Sequence, residues 1–582
     1  MFHNWSRRTK WLVSLSAAAV IVVVVVLAVE LSKGSDDEPE HLGAIATDAA
    51  PCQEVGEKLL RAGGNAVEVV IGILFCEGVA SAQSMGLGGG FIMTIYDRKT
   101  KESLVINARE VAPAAATERM FGLNKNEESV FSGKAIAVPA ELRGYQVAYE
   151  WAKAHGGQLE WAQLVEPTIK ICEDGVPVIG YVEDIIKKKQ YNITQHPALL
   201  EILSVNGQPV KKGDRIKRTK LAETLRVIAK EGADALHNGS LTEKFLADLK
   251  SMDSIVTAED LLNYKPRVTS ASRAALPGGY TLLAPPPPGS GPLLAHFLLL
   301  TAGMVEPPLR TAEQYQRIIE AMKFVYAART EFGDPVMDPD NANVTVKANQ
   351  LLNQTYVDEI RQKIKEHDSR TSQDPKDYGA TFEAADPQGT AHVSVITKDM
   401  AVSVTSTVNT EYGSMQVSES TGIIMNSEMD DFSLPDVPST YGVPPSPANF
   451  IKPGKIPQSS MAPAIILDAD GDVRLVLGAS GGPRITSAAG LVALQHLYLG
   501  VDLDEAIKTK RIHHQLMPMK VKCEIGFDQN LRKEFEEKFN HATDDLSITA
   551  SSVMAIAVKG NRYYPSADAR REGVIALIKK GE

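Results

Sequence analysis

The chain has 582 residues, with Lys plus Arg 61 against Asp plus Glu 72 and a formal charge of −11 at pH 7. Hydrophobic residues at 44% and charged residues at 23% are an ordinary globular mix, which argues against a largely disordered, collagen-like or polytopic membrane protein. So mild an acidic excess also argues against a dedicated nucleic-acid binder, which needs a basic face, and four cysteines are too few for a disulfide scaffold.

Trp11–Val29 carries no charge over 19 residues. As a helix it covers about 28 Å, close to the hydrocarbon core of a bilayer. Arg7, Arg8 and Lys10 precede it, and Asp36, Asp37, Glu38 and Glu40 follow. The positive-inside bias then makes 1–10 a cytoplasmic tail, 11–29 a transmembrane signal anchor, 30–42 a stalk and the rest extracellular: a single-pass type II protein of the plasma membrane. A cleaved signal peptide would need a shorter apolar run followed by a small-x-small site, whereas Ala17–Ala19 comes before the valines. In this topology the sequons at Asn192, Asn238, Asn343 and Asn353 are glycan acceptors on surface loops, while Asn4 lies on the cytoplasmic side. Cys52 and Cys76, on two consecutive helices, are the candidate disulfide, with Cys172 and Cys523 free. Four cysteines allow three full pairings, among which the sequence does not choose.

Beyond the stalk, Ala44–Thr47 reads as a strand and 50–62 and 65–79 as helices, broken at Gly63-Gly64. Ala66–Cys76 is apolar but short and contains Glu68, so it reads as a buried helix. After Met85-Gly-Leu-Gly-Gly-Gly90 comes a hairpin, Phe91–Tyr96 with Ser103–Asn107. The middle, about 135–270, is helix-rich, with Lys187-Lys-Lys as a solvated face. Pro285–Pro288 is an extended stretch, followed by helices near 291–304 and 312–332. The composition turns polar around 365–388, which predicts an exposed loop.

The clearest β signal is Thr390–Thr397 and Met400–Asn409, two alternating arms around Lys398-Asp399. With that turn, opposed residues sum to 797, so Thr390 faces Thr407 with β-carbons about 5 Å apart. Further on, Val473–Leu477 reads as a strand ending in Gly478-Ala-Ser480-Gly-Gly482, then a helix through Leu499 and a last hairpin near 551–565.

Two catalytic readings follow. Gly478–Gly482 fits G-x-S-x-G between a strand and a helix, with Asp502 or Asp504 and then His513 or His514 in the order of an α/β-hydrolase triad. Against it, all would lie within about 35 residues, and such turns also serve simply to expose backbone amides. The adjacent His513-His514 pair is a poor metal signal, since neighbours on a helix do not face one site. The other reading starts at Gly389-Thr390. A threonine hydroxyl is a weak nucleophile without a base, and an N-terminal threonine supplies its own α-amine, of pKa near 8. That amine exists only if the Gly389–Thr390 bond has been cut, and an exposed loop running into a strand at Thr390 suits such a cut.

From about residue 43 to the end the chain resembles the gamma-glutamyltranspeptidase family of N-terminal-nucleophile hydrolases. The resemblance rests on Met85–Gly90, Val105-Ile-Asn-Ala-Arg-Glu, Gly389-Thr-Ala-His, Thr405-Ser-Thr-Val-Asn, Glu428-Met-Asp-Asp-Phe, Tyr441-Gly-Val-Pro-Pro-Ser-Pro-Ala-Asn-Phe, Ser459-Ser-Met and Gly478–Gly482. It implies an α+β, four-layer αββα sandwich, here with one N-terminal transmembrane helix, cut into a large chain, 43–389 of the ectodomain, and a small catalytic chain, 390–582. It implies Thr390 as nucleophile supported by Thr407, Arg109, Ser459 and Ser460 on the substrate carboxylate, and Asn409, Glu428 and Asp431 on its ammonium. Gly481 and Gly482 are implied as the oxyanion amides. The implied substrates are glutathione and other γ-glutamyl compounds, with water, an amino acid or a dipeptide as acceptor and with neither cofactor nor metal. Glu411 and Tyr412 depart from the apolar-aromatic pair of the animal enzymes, and Pro483-Arg484 follows the oxyanion glycines. A third reading is an anchored homologue that has lost processing and only binds.

Overall fold

Two antiparallel sheets stacked face to face, each covered by helices on its outer side, carry the site. The computed structural model describes residues 41–122, 125–337, 342–382, 389–436 and 444–581. Residues 42–578 form one packed unit; of the remainder, 1–41 and 579–582, only His41 and 579–581 are described.

The elements used below are, in chain order, β1 (His41–Thr47), α1 (Ala50–Arg61), α2 (Ala66–Ala80), β2 (Gly90–Asp97), β3 (Ser103–Ala108), α3 (Glu141–Ala154), α4 (Trp161–Asp174), α5 (Gly180–Thr194), β4 (Arg267–Ser270), β5 (Ser272–Leu276) and β6 (Tyr280–Ala284). Then come α6 (Gly291–Thr301), α7 (Ala312–Arg329), β7 (Gly389–Thr397), β8 (Met400–Asn409), β9 (Ala464–Leu467), β10 (Val473–Ser480), α8 (Arg484–Tyr498), β11 (Ser552–Lys559), β12 (Arg562–Ala567) and β13 (Val574–Lys579). The first sheet has the order β13-β1-β7-β8-β2-β3-β4 and the second β12-β11-β10-β9-β6-β5. α2, α3 and α4 pack outside the first sheet and α6, α7 and α8 outside the second.

Alternation explains the layering. In β7 and β8, Val393, Val395, Val402 and Val404 join the helix-side core. The intervening His392, Ser394, Ser403 and Thr405 face the second sheet. Across that interface Ser403 Oγ donates to the Leu477 carbonyl at 2.9 Å and Ser394 Oγ to that of Met554 at 3.2 Å. Small polar side chains let the sheets approach while each hydroxyl finds a backbone partner. Thr390 shares the parity of His392 and Ser394, so it points the same way.

Most sequence expectations for elements hold within a few residues, and Cys52 and Cys76 are joined, linking α1 to α2, with Cys172 and Cys523 free and buried. Several expectations need correction. Among the described residues no helix is long and apolar enough to cross a membrane. The two most apolar, α2 and α6, have 15 and 11 residues, about 23 and 17 Å against a core of about 30 Å. The expected transmembrane helix, and with it the single-pass plasma-membrane placement, is therefore not upheld; 11–29 lies outside the described residues.

Lys187-Lys-Lys is not simply a solvated face: Lys188 and Lys189 each reach Glu411 at 3.1 Å. Of the polar stretch expected as an exposed loop at 365–388, residues 383–388 lie outside the described residues, and the rest is only partly exposed. Thr371 and Tyr378 are buried against α7, where Glu320 accepts from His367, Thr371 and Tyr378 at 2.5–2.7 Å. Of the sequons, Asn192 lies in the last turn of a helix and Asn343 in the first turn of another rather than in loops; Asn238 is exposed after a helix end and Asn353 caps the helix Gln354–Glu366. A small three-stranded sheet within 512–546 had no signal in the sequence.

Candidate functional site

The hairpin pairs in the register its turn dictates: Thr390 opposes Thr407, and the sum of 797 runs to Ile396 and Ala401. The register shifts between Gly389 and Thr390, where Gly389 opposes Asn409. Thr390 and Thr407 are buried, their hydroxyl oxygens 3.5 Å apart. Thr407 Oγ1 donates to the Gly389 carbonyl and accepts from the Asn409 amide at 2.9 Å. Gly389 must be glycine here, because a Cβ would meet the Thr410 carbonyl at 2.4 Å.

The sheet carries this level across to a charged cluster. Thr407 pairs with Gly90 of β2, and the neighbouring Phe91 pairs with Ala108 of β3, so Arg109 emerges at the level of Gly90, two strands from Thr407. At about 4.8 Å per strand, Arg109 starts some 10 Å from Thr407. Its guanidinium pairs with Glu428 and, at 2.7 Å, with Asp431, all three buried. Burial alone would lower the Arg109 pKa, but Glu428, Asp431 and Glu110 more than offset it and raise it. Burial pushes Glu428 well up against the pull of Arg109, and pushes Glu110 up to about 7. Asn409 sits at φ 76°, a left-handed conformation that asparagine tolerates, and its Nδ2 donates to the Ser427 carbonyl at 2.8 Å beside Glu428.

Ser459 and Ser460 come in from the second sheet's side. The Ser459 amide donates to Pro288 O at 2.9 Å, and Ser290 Oγ to Ser459 O at 2.6 Å. Asn449 ties this segment to the charged cluster, donating to Asp431 O at 2.7 Å and accepting from the Gln458 amide at 2.8 Å. Among the described residues, Asn409 Oδ1, Ser460 Oγ and Arg109 Nε are buried without a hydrogen-bond partner. Unsatisfied buried groups of this kind are costly; Arg109 and Asn409 both adjoin Glu428, and the segment of Ser459 and Ser460 is tied to Asp431 through Asn449.

Gly481 and Gly482 follow β10 directly, at φ 118° and 61°, and a Cβ on Gly481 would lie 2.3 Å from Ala550 O. Arg571 brings this turn beside β7, donating to Ser480 Oγ at 2.8 Å and to Thr390 O at 3.3 Å. The serine-hydrolase arrangement is not assembled. Ser480 is buried on Arg571, while His513 contacts Ser487 and Gln515, and His514 Nδ1 accepts from the Leu516 amide. Asp502 caps a helix, and Asp504 pairs with Lys508. No group of three or more His, Cys, Asp or Glu among the described residues is placed to hold a metal ion.

Sequence reasoning missed Asn449 as a bridge, Asn426, which accepts the Glu428 amide at 2.9 Å and donates to Gly88 O at 2.7 Å, and Arg571. Asn449 lies within a motif already noted, so a buried asparagine there was a usable signal; Arg571 left none.

The fold is shared with the solved structure of a cephalosporin acylase from Bacillus halodurans, at TM-score 0.79 and 20% identity over 93% of this chain and 97% of that one. A family model described as Gamma-glutamyltranspeptidase matches residues 52–578. The chain is 40% identical over 561 residues to Scoloptoxin SSD14 of Scolopendra dehaani, covering 93% of this chain and 94% of that protein. It is 33% identical over 584 residues to Glutathione hydrolase 5 proenzyme of Rattus norvegicus, covering 98% and 99%. The chain belongs to the gamma-glutamyltranspeptidase family.

Proposed function

We propose that this chain is a self-processing γ-glutamyltransferase and glutathione hydrolase with Thr390 as nucleophile. In maturation the Thr390 hydroxyl adds to the Gly389 carbonyl, whose oxygen the Thr407 hydroxyl polarises. The C–N bond breaks as the C–O ester forms and the hydroxyl proton passes to the nitrogen, which frees the Thr390 amine. Water then opens the ester, leaving a carboxylate on Gly389 and restoring the hydroxyl. The products are chains of 389 and 582 − 389 = 193 residues, the first containing 43–389 and the second 390–582.

In turnover the freed amine takes the hydroxyl proton as Thr390 attacks the γ-carbonyl of glutathione. The tetrahedral oxyanion rests on the amides of Gly481 and Gly482; one such donor typically contributes about 3 kcal/mol. Cys-Gly leaves carrying the proton, and water or an acceptor amine resolves the γ-glutamyl ester. Arg109, Ser459 and Ser460 take the α-carboxylate, for which a planar guanidinium is suited. Asn409, Glu428 and Asp431 take the α-ammonium.

The observation that carries this reading is the Thr390–Thr407 opposition with Thr407 donating to the Gly389 carbonyl. The name of the rat relative, a glutathione hydrolase proenzyme, supports both substrate and processing. A denaturing gel of the purified protein tests it. Two bands are expected, the smaller beginning at Thr390, together with release of p-nitroaniline from γ-glutamyl-p-nitroanilide and a single band for Thr390→Ala. One unbroken chain that still turns over the substrate would overturn the reading, as would loss of activity in Ser480→Ala with Thr390 dispensable.

A further inference from the structure

Strand β1 pairs with β7 from Gly43↔Thr397 to Ala46↔Ser394. Extending that register would bring residue 48 opposite His392 and residue 50 opposite Thr390, but α1 begins at Ala50 and the chain turns away. A side chain takes over the ladder: Asp48 Oδ2 accepts from the His392 amide at 2.9 Å, and Oδ1 accepts from Ser552 Oγ at 3.3 Å. Amides two residues apart point to the same strand edge, so the Thr390 nitrogen faces this edge too. It lies about 6–7 Å along the strand from the amide that Asp48 holds. Arg571 holds the Thr390 carbonyl. The start of β7 is thus pinned by Thr407 on one edge and by a carboxylate and a guanidinium near the other.

We propose that Asp48 is a positioning residue for Thr390, fixing the start of β7 at the edge where the freed amine emerges and balancing Arg571 beside it. The role rests on the proposed function above. The groups facing Asp48 are Glu77 from α2, His392 from β7, Ser552 from β11, and Arg571 and Asp568 from the last turns of the chain. Burial pushes Asp48 up to about 6, while Arg571, the His392 amide and Ser552 hold it back. Burial also pushes Glu77 up to about 7 and His392 down to about 3, so His392 is neutral. Above about pH 6, then, Asp48 is the negative partner of Arg571. Its charge favours the protonated amine, whereas Arg571 disfavours it.

The test is Asp48→Asn in the full chain, whose amide oxygen can still accept from His392 but carries no charge. Processing and thermal unfolding are read together with kcat and KM for γ-glutamyl-p-nitroanilide across pH. The expected outcome is a cut chain whose kcat plateau falls roughly 10-fold, as a small misplacement of reacting groups implies. KM stays within about twofold, because the groups proposed to hold the γ-glutamyl end are untouched. The acid limb of kcat moves down by about one pH unit with the lost carboxylate. An Asp48→Asn chain that folds normally yet stays uncut also supports the role. Wild-type kcat with the acid limb in place overturns it. Should Asp48→Asn fail to fold, Ser552→Ala decides, since it loosens Asp48 without removing its charge: a severalfold lower kcat is expected and an unchanged kcat overturns the proposal. A wild-type chain that is uncut and inactive would instead overturn the proposed function itself.

Discussion

Thr390 and Thr407 oppose each other on neighbouring strands with hydroxyl oxygens 3.5 Å apart, and the Thr407 hydroxyl donates to the carbonyl of the bond before Thr390. Valine at 407 keeps the β-branched shape that the strand favours and removes the hydroxyl that donates to the Gly389 carbonyl and accepts from the Asn409 amide. Thr407→Val is expected to slow chain cutting on the order of 100-fold, the size of one lost oxyanion-type donor. Thr407→Ser should cut at close to the wild-type rate. A time course of band conversion on denaturing gels checks both.

Arg109 meets Glu428 and Asp431 through one guanidinium, fully buried. Lysine keeps the charge and loses the planar fork. Arg109→Lys is expected to raise KM for a γ-glutamyl donor on the order of 100-fold, about 2.7 kcal/mol, with the chain still cut. Steady-state kinetics beside the gel separates the two effects; equal loss of cutting and turnover would count against a substrate-binding role.

Glu141 on α3 accepts from Tyr145 at 2.6 Å and from Ser406 at 2.9 Å, directly behind Thr407. Burial pushes it up to about 8, with those hydroxyls holding it lower. Its folded pKa lies above the unfolded one, so between about pH 4.5 and 8 the folded chain binds more protons and this group makes stability fall as pH rises. Glu141→Gln removes that titration. Its melting temperature should decline less between pH 5 and 8 than that of the wild type, measured by differential scanning calorimetry.

Glu320 behaves in the opposite sense. Burial alone would raise its pKa, but His367, Lys323, Thr371 and Tyr378 bring it down to about 2. Its contribution to stability is therefore present above about pH 4.5 and lost as pH falls toward 2. Glu320→Gln leaves Lys323 buried without its charge partner, at a cost of about 3–5 kcal/mol. Pairing it with Lys323→Met should recover part of that loss. Urea unfolding midpoints of the single and double variants, at pH 7 and pH 4, test both statements.

Gly481 permits no side chain, at φ 118° and with a Cβ position 2.3 Å from the Ala550 carbonyl. Gly481→Ala is expected to displace the turn and cut kcat at least 100-fold, the loss of one oxyanion donor. KM should change little, which initial-rate kinetics would read.

The hairpin and its register were legible in the chain because a tight turn couples two adjacent segments: alternation dictates the faces and the turn dictates the pairing. The glycines of 478–482 read locally as a turn that exposes backbone amides, whereas Arg109, Glu428 and Asp431 were reached through the family resemblance, since an acidic stretch alone reads equally well as an exposed loop. The G-x-S-x-G pattern also shows the limit of local reading, since the pattern is present but among the described residues no histidine hydrogen-bonds Ser480, whose partner is Arg571.

By itself the sequence determined many of the helices, the hairpin strands β2, β3, β7 and β8, and the opposition of Thr390 to Thr407, all set by contacts between near neighbours in the chain; β4, β5, β6, β9, β13 and the small sheet within 512–546 were not legible in that way. Only the tertiary structure decided that Asp48 would replace a strand at the edge of β7, that Arg571 would reach Thr390 across 181 residues, and that Thr371 and Tyr378 would be buried on Glu320. A lone aspartate or arginine reads the same whether solvated or enclosed. What distinguishes the two is the packing of one layer on another, and that is a property of contacts between segments far apart in the chain.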